Sequence, residues 1–155
     1  MVQFPVPAWI QAYSLSAPPR SFGAPRANGR LHAGCDLYAP IGSEVLAISE
    51  GKILRVAPFY WSTWAIEIDH FDLGIVRYGE VAVGPGIAPG IDVAEGMVIA
   101  SIAQLINPNP AGTNPHPMLH FELYSGKGDG PLTTEEDPYR RRSDLKDPTE
   151  FLSRL

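Results

Sequence analysis

The chain has 155 residues, 45% hydrophobic and 19% charged, which is enough apolar material for one domain with a core and too little charge for a disordered chain. Glycine (15) and proline (16) make up a fifth of it, against about 12% in an average protein; that density excludes a helical bundle, because proline breaks helices and glycine weakens them. A net charge of −5 argues against nucleic acid or an anionic membrane as partner, the single cysteine Cys35 excludes an intramolecular disulfide and a thiolate zinc finger, and no apolar run is long enough to span a membrane.

Residues 1–31 read as an extended, Pro-rich lead-in that wraps a core and ends at the turn Ala27-Asn28-Gly29. Residues 1–19 hold no Lys or Arg and are interrupted by Pro5, Pro7, Pro18 and Pro19, so they lack the basic start and unbroken apolar stretch of an export signal. Short strands follow at 43–48, 52–56, 65–70, 75–81, 97–102 and 118–124, separated by Gly/Pro turns, with the aromatic stretch Phe59-Tyr60-Trp61 and Trp64 lining a groove or packing in the core. Residues 125–147 are polar and read as irregular, with Arg140-Arg141-Arg142 a solvated turn; 147–152 read as a final helical turn with Pro148 in its first turn. Strands at intervals of about ten residues with few helices predict an all-β sandwich or barrel.

Two stretches carry chemistry-bearing side chains. His32 and Asp36 lie four residues apart around Gly34 and can converge on one cation, though a loop His and Asp without metal fit the spacing as well. In Met118-Leu119-His120-Phe121-Glu122-Leu123, a strand puts Leu119, Phe121 and Leu123 on a core face and Met118, His120 and Glu122 on the other. That second face looks at water or at a site, and Glu122 is either a solvent-facing residue or the partner of a ligand imidazole. Cys35 reads as a buried thiol, His70 as a surface residue of a hairpin turn and His116 as a loop histidine that would share the face of Met118 if the strand extended.

In order along the chain stand His-x-Gly-x-Asp at 32–36, Ala-Pro-x-Gly at 39–42, Val-x-Ala at 45–47, Gly-x-Ile at 51–53, Ile-x-Ile-Asp-His at 66–70, Tyr-x-x-Val at 78–81, Val-x-x-Gly at 93–96 and Pro-x-Leu-His-Phe-Glu at 117–122. Together they resemble the lysostaphin-type (LytM-like) zinc metallopeptidases, a family of peptidoglycan endopeptidases. The resemblance implies an antiparallel β sandwich or open barrel of the duplicated hybrid motif type with few short helical turns. It implies three regions: a lead-in at 1–30 packed on the core, the metallopeptidase domain at 31–124 and a C-terminal extension at 125–155 with a short helical end. It also implies a zinc ion held by His32, Asp36 and His120 with the fourth position open to water, and a bacterial cell-wall peptide as substrate. Two family histidines that orient the attacking water and stabilise the tetrahedral intermediate are replaced, one by Met118 and one by Glu80. Met118 cannot move a proton, whereas Glu80 can act as general base. Tyr78 is then a candidate oxyanion donor, and His116 a candidate stand-in for the missing histidine. The expected function is a zinc-dependent peptidoglycan endopeptidase; the alternative is an inactive module that binds peptidoglycan or a protein. With no export signal in view, action on the cell wall implies delivery by a phage particle, a secretion machine or a lysis pathway, so delivery machinery or an immunity-type protein is an expected partner.

Overall fold

In the computed structural model, which describes residues 2–135 and 140–155, the strands form where apolar and polar residues alternate. In chain order they are β1 (Cys35–Tyr38), β2 (Glu44–Leu46), β3 (Gly51–Pro58), β4 (Trp64–Asp69), β5 (Ile75–Val83), β6 (Asp92–Val93), β7 (Val98–Ile102), β8 (Met118–Tyr124), β9 (Thr133–Glu135), β10 (Arg140–Arg141) and β11 (Leu145–Lys146); the helix α1 (Thr149–Ser153) follows. The main sheet runs β1-β8-β5-β4-β3-β6, and its pairings are antiparallel. The all-β expectation is met.

β5 is the pivot of the sheet. Residues 75–79 pair with β8, and Val81, Ala82 and Val83 pair with β7 instead. Against β4 the register slips between Ile66↔Tyr78 and Trp64↔Val81. The extra residue is a β-bulge, and Glu80 at its centre has φ 64°, a left-handed conformation unusual for a residue with a side chain. β7 in turn carries β2, which curls the sheet over its core.

That core holds Leu37, Ile48, Ile53, Ile66, Ile68, Val76, Ile99, Leu119, Phe121 and Leu123, as the period-2 reading requires. The lead-in adds Val6 and Leu15 to the same core. Its backbone is tied down as well: Leu46 N–H donates to Pro5 O (2.8 Å), Ile10 N–H to Tyr38 O (2.8 Å) and Asp36 N–H to Arg20 O (3.0 Å).

Three expectations change. Residues 35–38, where the sequence predicts no strand, form β1 because Asp36 and Tyr38 face a covered site while Cys35 and Leu37 enter the core. The stretch 125–147, expected to be irregular, contains β9 to β11, with β11 continuing the edge of β8 where β1 stops; residues 136–139 of it lie outside the described residues. All seven residues of β8 are buried, so its polar face meets neighbouring chain rather than water. Among the described residues no helix is long and apolar enough to cross a membrane.

Candidate metal centre

Cross-strand register puts Asp36 opposite His120 and His120 opposite Gly79. His32 joins them from the segment before β1, where its N–H donates to Ala24 O at 2.8 Å and its C=O accepts Gly23 N–H at 2.8 Å. The three buried side chains point their donor atoms at one spot. His32 Nε2 lies 3.0 Å from Asp36 Oδ1, His120 Nδ1 lies 3.0 Å from the same oxygen, and the two nitrogens are 3.1 Å apart. A tetrahedral zinc with bonds of about 2.0–2.1 Å separates its ligand atoms by about 3.3 Å, so the triangle has the size of one face of such a site. Among the described residues, these are the ones grouped as a three-ligand cluster.

Gly34 makes this approach possible: a Cβ there would collide with the backbone oxygen of Phe121. Gly34→Ala is expected to cost about 1–3 kcal/mol by overpacking, read as a lower melting temperature in circular dichroism, and to push His32 and Asp36 away from His120.

The ring nitrogen of each histidine that faces away from the triangle is also held. His32 Nδ1 donates to Ser21 O (2.9 Å), and His120 Nε2 donates to Glu122 Oε2 (2.7 Å). Once the imidazoles are neutral, these bonds select the tautomers that present a lone pair toward the triangle. Glu122 is completely buried and also accepts from Arg77 Nη1 (3.3 Å), Arg141 Nε (3.1 and 3.2 Å) and the Tyr124 hydroxyl. Arg77 in turn donates to Glu67 Oε2 from Nε (3.0 Å) and Nη2 (2.8 Å). Burial pushes the Glu122 carboxyl up, but the bond from His120 and the charges of His120, Arg77 and Arg141 outweigh it and hold it well below the usual carboxylate range.

The same balance acts within the triangle. Burial raises Asp36, and hydrogen bonds from His120 and His32 overcome that and set it at about 2. Burial lowers His120, and its bonds to Asp36 and Glu122 carry it up to about 10 when no cation is bound. A histidine whose folded pKa exceeds its unfolded value stabilises the fold fully below about 6.5. The metal-free protein is therefore expected to lose this stability as pH rises from about 6.5 towards 10, seen as a falling melting temperature across that range.

Glu80 stands beside the triangle, one residue past the partner of His120. Its Oε2 is buried and has no hydrogen-bond partner. Burial is the main cause that pushes its carboxyl up to about 7; Asp36 adds to this, while His120 and Arg26 oppose it. Arg26 Nη2 lies 3.6 Å from Asp36 Oδ2, so the acidic oxygen that faces away from the triangle meets a cation.

The sequence profile of peptidase family M23 matches residues 30–132. The chain belongs to peptidase family M23. No curated protein matches the sequence. Among solved structures, this M23 chain is similar to the catalytic domain of the antimicrobial peptidase lysostaphin from Staphylococcus simulans, with 25% identity over 86% of this chain and 89% of that one and a TM-score of 0.63. A zinc containing peptidase from Vibrio cholerae aligns with 26% identity and a TM-score of 0.54, over 73% of this chain and 36% of that one. LytU, with 22% identity over 87% of this chain and 83% of that one and a TM-score of 0.61, shares the fold. The family is a metallopeptidase family, and its antiparallel all-β fold is the one described above.

Within this M23 fold several expected site residues take other places. Tyr78 is no oxyanion donor: its side chain is on the core side of β5, edge-on to Phe121, and its hydroxyl accepts from Ile48 N–H (3.0 Å) and donates to His70 Nε2 (2.9 Å). His70, expected at the surface, is buried for the same reason, with Nδ1 3.1 Å from both Ser49 Oγ and Glu50 O. His116 is exposed and stacks on Tyr38 (4.7 Å) and against Tyr13 (5.5 Å). Met118 is buried opposite Tyr38, and Cys35 is a buried thiol. Of the arginine run only Arg140 is solvated; Arg141 pairs with Glu122, and Arg142 is buried against Asp144. Phe59 packs on the His120 ring at 5.6 Å and under the Arg77 guanidinium, whereas Tyr60 and Trp64 stay exposed. Sequence reasoning missed Glu67, Arg77 and Arg141. The available signal was a charged residue on the β4 and β5 faces that would otherwise be apolar, but its meaning depends on the Glu67↔Arg77↔Glu122 register.

Proposed function

We propose that this M23 chain is a zinc-dependent endopeptidase of bacterial cell-wall peptides, with zinc held by His32, Asp36 and His120. The observation that carries the proposal is the triangle of two imidazole nitrogens and one carboxylate oxygen with edges of 3.0–3.1 Å. Such a mixed N/O donor set suits zinc, and the zinc named in the Vibrio cholerae peptidase supports the choice. The similarity to the catalytic domain of an antimicrobial peptidase supports a peptidase, and the motif resemblance to peptidoglycan endopeptidases supports a cell-wall peptide as its substrate.

Zinc, when bound, supplies Lewis acidity that polarises the scissile carbonyl and acidifies the attacking water. The protein supplies the proton path. Glu80 Oε2, unpartnered and raised to about 7 by burial, is suited to take the proton of the attacking water and return it to the leaving amine nitrogen. Glu122 keeps His120 in one tautomer, and Phe59 walls off that imidazole. Met118 gives no proton-transfer group, and this favours a second reading in which the chain only binds its wall ligand.

Incubating the zinc-loaded protein with purified sacculi and cross-linked muropeptides separates the two. New amine ends, counted by labelling, are expected. Binding to sacculi without new amine ends, at full zinc occupancy, would overturn the peptidase reading in favour of the binding module.

A further inference from the structure

The β9–β10 hairpin lies past the residues that the family profile matches, yet it reaches the centre of the candidate site. Thr133 Oγ1 accepts from Arg77 Nη1 at 2.7 Å. Arg141, in β10, contacts both oxygens of Glu122, with Nε at 3.1 and 3.2 Å and Nη2 at 3.1 Å from Oε2. That Oε2 is the atom that receives the His120 Nε2 proton at 2.7 Å.

A guanidinium bonded to both oxygens fixes the plane of a carboxylate as well as its position. The plane matters here because it sets the lone-pair direction that His120 Nε2–H follows, and so the aim of Nδ1 into the triangle. Arg77 cannot do this alone, since its contact with Glu122 is to Oε1, at 3.3 Å, while its Nε and Nη2 serve Glu67. Without Arg141, two buried carboxylates, Glu67 and Glu122, share the cation of Arg77, and Glu122 is drawn toward it and away from His120.

We infer that Arg141 is a positioning residue for His120, so that the C-terminal hairpin completes the metal centre of this chain. The inference rests on the reading of His32, Asp36 and His120 as zinc ligands. The test compares the full chain with Arg141→Ala, Arg141→Lys and, as a control on the same hairpin, Arg140→Ala. Zinc affinity is measured by competition with a chromophoric chelator, and the cobalt-loaded proteins are compared by visible absorption. Loss of a partner bonded directly to a metal ligand weakens binding by about 10–100-fold; Arg141 acts one bond further back, through Glu122, so the low end of that range, about 10-fold, is expected. Arg141→Ala is expected to show that loss with an altered cobalt spectrum at saturation, Arg141→Lys an intermediate loss because it restores charge without the two-pronged grip, and Arg140→Ala neither. Zinc affinity within about threefold of wild type in Arg141→Ala, or an equal loss in Arg140→Ala, would overturn the inference. If Arg141→Ala does not fold, an unchanged affinity and cobalt spectrum in Arg141→Lys overturns it. A folded wild-type chain that takes up neither zinc nor cobalt is a different result, which overturns the metal-centre reading itself.

Discussion

Glu80→Gln is expected to lower peptide hydrolysis by about 10²–10⁴-fold, the usual contribution of a positioned general base, while leaving zinc content unchanged. Glutamine keeps the shape of the side chain and removes its ability to take a proton. Glu80 is outside the three-ligand triangle, so the ion has no reason to leave. The pH profile supplies an independent readout. A base works ionised, so wild-type turnover rises as pH climbs through the pKa of Glu80, which burial places at about 7 without metal. A bound dication nearby pulls that value down, and the acid limb is expected at or below about 7 and absent from the residual rate of Glu80→Gln. The sign for stability is opposite. A carboxyl raised by burial costs the fold stability once pH exceeds its unfolded value, so above neutral pH the metal-free Glu80→Gln protein is expected to melt no lower than wild type. Activity within tenfold of wild type in Glu80→Gln would show that the proton goes elsewhere.

Glu80 also shows where sequence reading stops. That position 80 carries a carboxylate is visible in the sequence. That it sits in a bulge at positive φ, where β5 leaves β8 for β7, is not, because no glycine or asparagine marks the spot. The strands themselves were legible where alternation was clean: β8 spans the residues expected, and its Leu119, Phe121 and Leu123 enter the core. Its other face was open to two readings, since a His and a Glu at alternate positions suit solvent and a site equally. The choice is made by non-local partners: Arg77 from β5 and Arg141 from the β9–β10 hairpin meet the buried Glu122.

The buried charges follow the same logic. Arg77 and Glu67 each look like the polar half of an amphipathic strand until register sets them opposite one another and opposite Glu122. Burying two carboxylates and two guanidiniums is tolerated because each is paired and hydrogen-bonded. His70 failed differently. Its Asp-His setting reads as turn chemistry, and the turn is there, but the ring folds inward to the Tyr78 hydroxyl. The motif His32-x-Gly-x-Asp36 was legible because its members are close in sequence and its glycine has a steric reason that the fold bears out.

His120→Ala is expected to reduce zinc affinity by more than about 100-fold, beyond the loss that follows from removing a supporting partner, and with it all hydrolysis. The reason lies in how the triangle is held when no ion is bound. Asp36 and Glu122, on opposite ring nitrogens of His120, hold a proton there up to about pH 10. An incoming zinc must displace that proton, since a protonated imidazole has no lone pair at Nδ1. The wild-type affinity is therefore expected to rise about tenfold per pH unit between about pH 6 and 8, with about one proton released by His120 for each ion taken up. Isothermal titration calorimetry in buffers of different ionisation enthalpy counts that proton directly. In His120→Ala the weak residual binding loses this contribution to the pH slope. A wild-type affinity that is flat with pH, or full zinc occupancy in His120→Ala at micromolar metal, would remove His120 from the ligand set and leave Asp36 to be explained by its pairing with Arg26 and His32 alone.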